Sequence, residues 1–212
     1  MTARALLLLP ALLFVTPALA AEIACEGAFA VDSSEARLIE IYGKDNVVTG
    51  EVPGPEGTTM IATTVFGGDP AREMQFVWWD DRAMTDLSYV QLPPGDSVAG
   101  VQAGMTVKEV ETLNGEPFTL MGFWWDYGGY ANIQSGRLAE LPGGCVLSLS
   151  FEPKGQTPAG VDDSAVSGDV EVPSGEPLLE TLDVRLESVS VGYPHPDFRD
   201  DAEPAPEQDT RG

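Results

Sequence analysis

Histidine occurs once in the 212 residues, cysteine twice and lysine three times, and each scarcity closes off a class of chemistry. A Ser-His-Asp or Cys-His site needs its histidine held by an orienting partner within hydrogen-bond reach. The lone His195 stands instead at the edge of an acidic, proline-rich end of the chain. One histidine and two cysteines do not make a structural zinc set, and the cysteines have no CxxC spacing for redox work. No glycine-rich phosphate loop is present either. Gly67-Gly68 and Gly143-Gly144 are bare pairs beside turn residues. Cationic side chains number 11 against 34 acidic ones. Such a surface repels nucleic-acid phosphates and anionic headgroups, so nucleic acid is not an expected partner. Past residue 20 no apolar run approaches the roughly 20 residues a bilayer span requires.

What is present begins with an export signal. Arg4 precedes an apolar run from Ala5 to Val15, and Pro17-Ala18-Leu19-Ala20 ends it with an A-x-A site. These are the three parts of a cleavable leader, expected to span residues 1–20. A lipid-attachment motif would need a leucine-like residue where Glu22 stands, so Cys25 is not read as a lipidation site. Removal of residues 1–20 takes away Arg4 and no acid. The balance moves from 34 against 11 to 34 against 10, a net charge of −24. The composition, with arginine over lysine eight to three and much Ala, Gly, Val and Pro, suits a GC-rich bacterial genome. Two cysteines in an exported chain predict a disulfide between Cys25 and Cys145. The expected location is periplasmic or secreted.

The segment 21–193 reads as one globular domain, large enough to bury a core. Residues 194–212 carry four prolines and six acids with Phe198 as their one large apolar side chain, a composition that predicts a disordered tail. Two helix signals stand out. Thr106 and Glu109 form a capping box, Met105 and Val110 can staple it, Val110 and Leu113 share a face, and Asn114-Gly115 ends the helix. Asp32 and Glu35 repeat the grammar, with Leu38 and Ile41 as the stripe and Gly43 as the stop. Strands are expected at 46–51, 58–66 and 73–79, and again at 117–125, 130–134, 145–151 and 182–191. Cys145, Leu147, Leu149 and Phe151 alternate with Ser148 and Ser150, which sets the core face of that strand. The expected class is α+β, an antiparallel sheet with two short helices on one face, with possible tandem halves at 22–92 and 100–193.

Some of this wording is similar to known families. Gly104-Met105-Thr106 with Val110 and Gly115-Glu116-Pro117 resembles the helix of the outer-membrane assembly lipoproteins of the SmpA/OmlA type. It also resembles the tandem helix-plus-sheet repeats of the β-lactamase inhibitor proteins. Asn114 to Gly129 looks like an uncharacterised family of bacterial periplasmic proteins. The first half has Ala30-Val31-Asp32 where the Gly-Met-Thr wording would stand. The inhibitor resemblance implies a concave sheet face that binds a partner.

Trp78-Trp79-Asp80-Asp81 and Trp124-Trp125-Asp126 set acids beside indoles. Three readings apply: ordinary core, a ligand or partner surface, and a glycan-cleaving carboxylate pair, which would need two acids on one cleft. Neighbouring strand residues point to opposite faces. Met74, Phe76 and Trp78 form the better core row, which leaves Trp79 on the other face. Met121, Phe123, Trp125 and Tyr127 form the more apolar row of the second pair, which sets Trp124 beside Asp126. The expected site is therefore Trp79, Trp124 and Asp126 on a non-catalytic binding module, its partner an unidentified protein or envelope ligand. A carboxylate-dependent glycan hydrolase and a purely structural envelope protein are the alternatives. Asp162, Asp163 and Asp169 are oxygen ligands of the kind calcium takes, without EF-hand spacing. No cofactor is expected, and calcium at 162–169 is left open.

Overall fold

The structure is a computed structural model and describes residues 21–199. The leader expected at 1–20 and the tail residues 200–212 lie outside the described residues.

The first half begins with a short strand, β1 (Glu22–Ile23), and a helix, α1 (Glu35–Tyr42). The N-cap of α1 is Ser34, whose hydroxyl accepts from the Arg37 N–H at 3.2 Å. Asp32 is not the cap that the sequence suggests. The Arg37 guanidinium takes its carboxylate, at 2.6 Å. Four strands follow: β2 (Val47–Pro53), β3 (Thr59–Val65), β4 (Met74–Asp80) and β5 (Thr85–Gln91). They form an antiparallel meander.

Two small strands, β6 (Ser97–Val98) and β7 (Val101–Gln102), join this half to the next. β6 also pairs with β1. The helix α2 (Val107–Asn114) carries the expected box: the Thr106 hydroxyl accepts from Glu109 N–H, and the Glu109 carboxylate accepts from Thr106 N–H. Gly115, at φ 82°, closes it in the left-handed region. Then come β8 (Thr119–Met121), β9 (Ala131–Asn132), β10 (Val146–Pro153), β11 (Glu171–Pro173), a short helix α3 (Pro177–Thr181) and β12 (Val184–Gly192).

The connectivity repeats. Each half is a capped eight-residue helix followed by four antiparallel strands, β2 to β5 in the first and β8, β9, β10 and β12 in the second. β9 meets β10 through a bridge between Tyr130 and Ser150. The fourth strands pair with each other, Gln91 with Ser190, Val90 with Val191 and Tyr89 with Gly192, so the halves join into one broad sheet. β11 adds to the outer side of β8. The fold is α+β.

The helices anchor on one face. Leu38 of α1 and Val110 of α2, the residues that align in the two stripes, are both fully buried in a single core with Phe76, Val90, Leu149 and Val191. Ile41, expected in the stripe, is exposed, and Ile39 and Tyr42 pack against the core in its place. The Cys25–Cys145 disulfide, with Cα atoms 5.9 Å apart, ties the residue pair after β1 to the start of β10 across 120 residues. In the chain-entropy account, closing a loop of that length is worth about 4–5 kcal/mol.

Further expectations need correction. The strand expected over 117–125 stops at Met121, and its core row is Phe118 and Leu120, both buried, not Met121, Trp125 and Tyr127. Phe123 reaches the core from a turn, held by a bridge to Ser167. Residues 194–199 are docked on the domain through a short turn of helix over Pro196–Phe198, so the structured part runs beyond 193. Phe198, the one large apolar side chain of that stretch, stays 69% exposed.

Candidate binding surface

Strand register sorts the side chains of the broad sheet into rows. Thr49, Thr63, Phe76, Val90, Val191 and Leu147 lie on one line across six strands, and this line faces the helices. The row beside it points the other way: Gly50, Ala62, Val77, Tyr89, Gly192 and Val146. The next row on that same side is Val48, Thr64, Gln75, Gln91, Ser190 and Ser148. Tyr130, opposite Ser150, lies on the same side one row further along β10. Along this helix-free face Tyr89, Tyr130, Val48 and Val146 are all exposed, from 37% at Tyr89 to 66% at Val48.

The face is concave. Glu56 lies in the turn after β2, beyond one end of the strands and at one margin of the sheet. Tyr127 lies before β9, at the other margin and toward the opposite strand ends, because Gly129 sits against Phe151 on β10. The Tyr127 hydroxyl nevertheless donates to the Glu56 carboxylate at 2.9 Å. These are diagonal corners, which a twisted and coiled sheet brings together over its hollow side. The Tyr89 hydroxyl reaches Met60 Sδ at 3.8 Å along the same hollow. Burial among these groups raises the Tyr89 pKa, and Tyr130 adds to the rise. The hydrogen bond to Glu56 raises that of Tyr127.

The loop that carries Tyr127 depends on one glycine. Gly129 has φ +77°, and a Cβ there would stand 1.9 Å from the Phe151 carbonyl oxygen. Its N–H donates to Met121 O, and its carbonyl accepts from Phe151 N–H, so the loop base is stitched between β8 and β10. Trp124 in this loop has φ +64° and is 55% exposed, its ring edge-on to Phe123. Asp126 is exposed two residues on. Trp125, expected in the core, is only half-buried. Its indole donates to Gly122 O at 2.8 Å and its ring meets Tyr127 edge-on at 5.4 Å. Trp124 and Asp126 are thus exposed as expected, but through a turn and not through strand alternation.

Trp78 and Trp79 divide as alternation predicts. Trp78 is buried and its indole donates to the Thr63 hydroxyl at 2.9 Å. Trp79 points to the opposite face and is 40% exposed, yet it is not a free anchor. Its indole donates to Tyr193 O at 3.0 Å and His195 packs edge-on against it, with ring centroids 5.0 Å apart. Arg199 holds this segment down through Asp86, at 2.6 Å, and through Pro194 O. Of the tyrosines of the hollow, Tyr89 and Tyr130 are residues that the sequence reading passed over, and Tyr127 is one that it placed in an apolar row. Their only local signal was their place beside turns and strand ends.

Carboxylate ionisation is shifted downward at Asp32 by Arg37, at Glu109 by Thr106 and at Asp162 by Ser164. Asp162 and Asp163 are engaged locally, accepting from Ser164 N–H and from the Thr157 hydroxyl. Among the described residues no group of three or more His, Cys, Asp or Glu is placed to hold a metal ion, and no helix is long and apolar enough to cross a membrane. The chain matches no protein-family model, no curated protein and no solved structure.

Proposed function

We propose that this chain is an exported, non-catalytic binding module, cleaved after Ala20, that takes a cationic protein partner on the hollow face of its sheet. The observation that carries the reading is the exposure of Tyr89 and Tyr130, near each other on the face without helices, with Tyr127 bonded to Glu56 across it and Val48 and Val146 exposed at its two edges. Scattered apolar residues on a surface need no explanation, but exposed tyrosines gathered on one hollow face mark an interaction site. Tyrosine and tryptophan supply rigid anchors there. The partner's charge follows from the excess of 34 acidic over 11 basic side chains and from Glu56 and Asp126 beside the aromatics. Lysine or arginine of a partner would meet ring faces and carboxylates together. The disulfide suits an oxidising compartment, and the inhibitor-like arrangement of two helix-plus-sheet halves supports the same use of the sheet.

The test compares the processed chain with its Tyr89→Ala/Tyr130→Ala variant and with Ile41→Ala, an exposed site on the helix side. Each is immobilised and used to capture proteins from an extracytoplasmic extract at low and high salt. A partner held by wild type and Ile41→Ala, lost with the tyrosine variant and weakened by salt supports the reading. Equal capture by all three, with unchanged melting temperatures, overturns the assignment of the face.

A further inference from the structure

The backbone nitrogen of Ala21 lies 2.9 Å from Asp96 Oδ1, in a corner that ties the start of the domain to the join between its halves. Ala21 O accepts from Ser97 N–H, the Glu22 carboxylate accepts from the Ser97 hydroxyl and from Gly100 N–H, and β1 pairs with β6 in parallel. Asp96 is half-buried on the wall of a largely apolar cavity of about 590 Å³, among Ile23, Phe29, Tyr42, Phe66 and Met74. Among the described residues its carboxylate forms no salt bridge with a cationic side chain, although Arg72 lines the same cavity.

We infer that Asp96 is the receptor for the new α-ammonium group released when the leader is removed, so that cleavage after Ala20 completes an ion pair in the fold. This rests on the proposed cleavage at Ala20. Before cleavage Ala21 offers a single neutral amide N–H. Hydrolysis of the Ala20–Ala21 peptide bond by water leaves a carboxylate on Ala20 and an amine on Ala21 that takes up a proton. The nitrogen already within reach of Asp96 then carries a full positive charge and three donors. A charge-assisted bond replaces a neutral one. The structure has the acceptor in place, Ala21 held by the hydrogen bond from Ser97 N–H and the next two residues held by the pairing of β1 with β6, so the amine is already positioned.

The sign of the pH dependence follows. The pair favours the protonated amine, so the folded-state pKa of the α-amine rises above its ordinary value near 7.7–8.0. Its stabilisation is fully present below that value and is lost as the pH rises through the raised one. The test uses the processed chain beginning at Ala21, made by cleaving a fusion that leaves this residue first. Asp96→Asn, which keeps an acceptor oxygen, and a form with two extra residues before Ala21 are the comparisons. Acetic anhydride labels the unprotonated α-amine near neutral pH, and mass spectrometry reads the extent. Labelling of Ala21 in the wild type should be about 1.5- to 5-fold slower than in Asp96→Asn. The wild type should also lose more melting temperature between about pH 7 and pH 10 than either comparison. Equal labelling rates and parallel pH curves in correctly folded proteins overturn the ion pair. N-terminal sequencing of the exported protein separates the two ideas: a start elsewhere refutes cleavage after Ala20, whatever the labelling shows.

Discussion

Replacing both Cys25 and Cys145 with alanine should lower the melting temperature by roughly 8–20 °C without changing the folded architecture. The bond closes a loop of 120 residues, which restricts the unfolded chain far more than the native one. The loop-closure term for that length is about 4–5 kcal/mol. For a domain of 150–250 residues each kcal/mol shifts the melting point by about 2–4 °C, which converts the term to the range above. Both sulfurs lie in the core, Cys25 at 8% and Cys145 at 3% exposure, so alanine is preferable to serine, whose hydroxyl would be buried. The assay is thermal unfolding followed by circular dichroism, run on the wild type with and without reductant and on the double variant. The reduced wild type and the variant should coincide. A loss below about 4 °C, with an unchanged native spectrum, would refute the entropic argument and assign the stability of this corner to packing around β1 and β10 instead.

Gly129→Ala should destabilise by several kcal/mol or abolish folding, since its Cβ would overlap Phe151 O in a left-handed backbone, whereas Gly95→Ala, in open space, should be neutral within about 0.5 kcal/mol. Thermal unfolding of the two variants checks this. Truncation after Arg199 should leave the melting temperature unchanged, whereas truncation after Tyr193 should lower it by a few degrees and expose Trp79, read as a red shift of tryptophan emission. Equal behaviour of the two truncations would show that His195 and Arg199 do not hold Trp79 in place.

Capping and short-range alternation were legible in the sequence because they are settled within a few residues. Thr106 and Glu109 satisfy each other's backbone donors, Gly115 supplies the left-handed stop, and Cys145 to Phe151 alternate because successive strand side chains face opposite ways. Local reading failed where a distant or competing partner intervened. Asp32 and Ser34 are both good caps, and the choice fell to Ser34 because Arg37 folds back onto Asp32. β5 was missed because Leu87 and Val90, both buried, stand three apart, a helical spacing. A bulge opposite Val77 and Trp78 inserts Ser88 between the two faces.

The binding surface was the least legible part. That the chain is strongly acidic, and that one histidine and two cysteines do not make a structural zinc set, follows from composition alone. Which aromatics share a surface does not. Tyr89 and Tyr130 come near each other, and Tyr127 meets Glu56 across 71 residues, only because β5 pairs with β12 and the joined sheet coils. Strand pairing at that range is decided by the fit of the whole core. Thus the residues of the hollow face carry no shared local pattern, although their chemistry is plain once they are together.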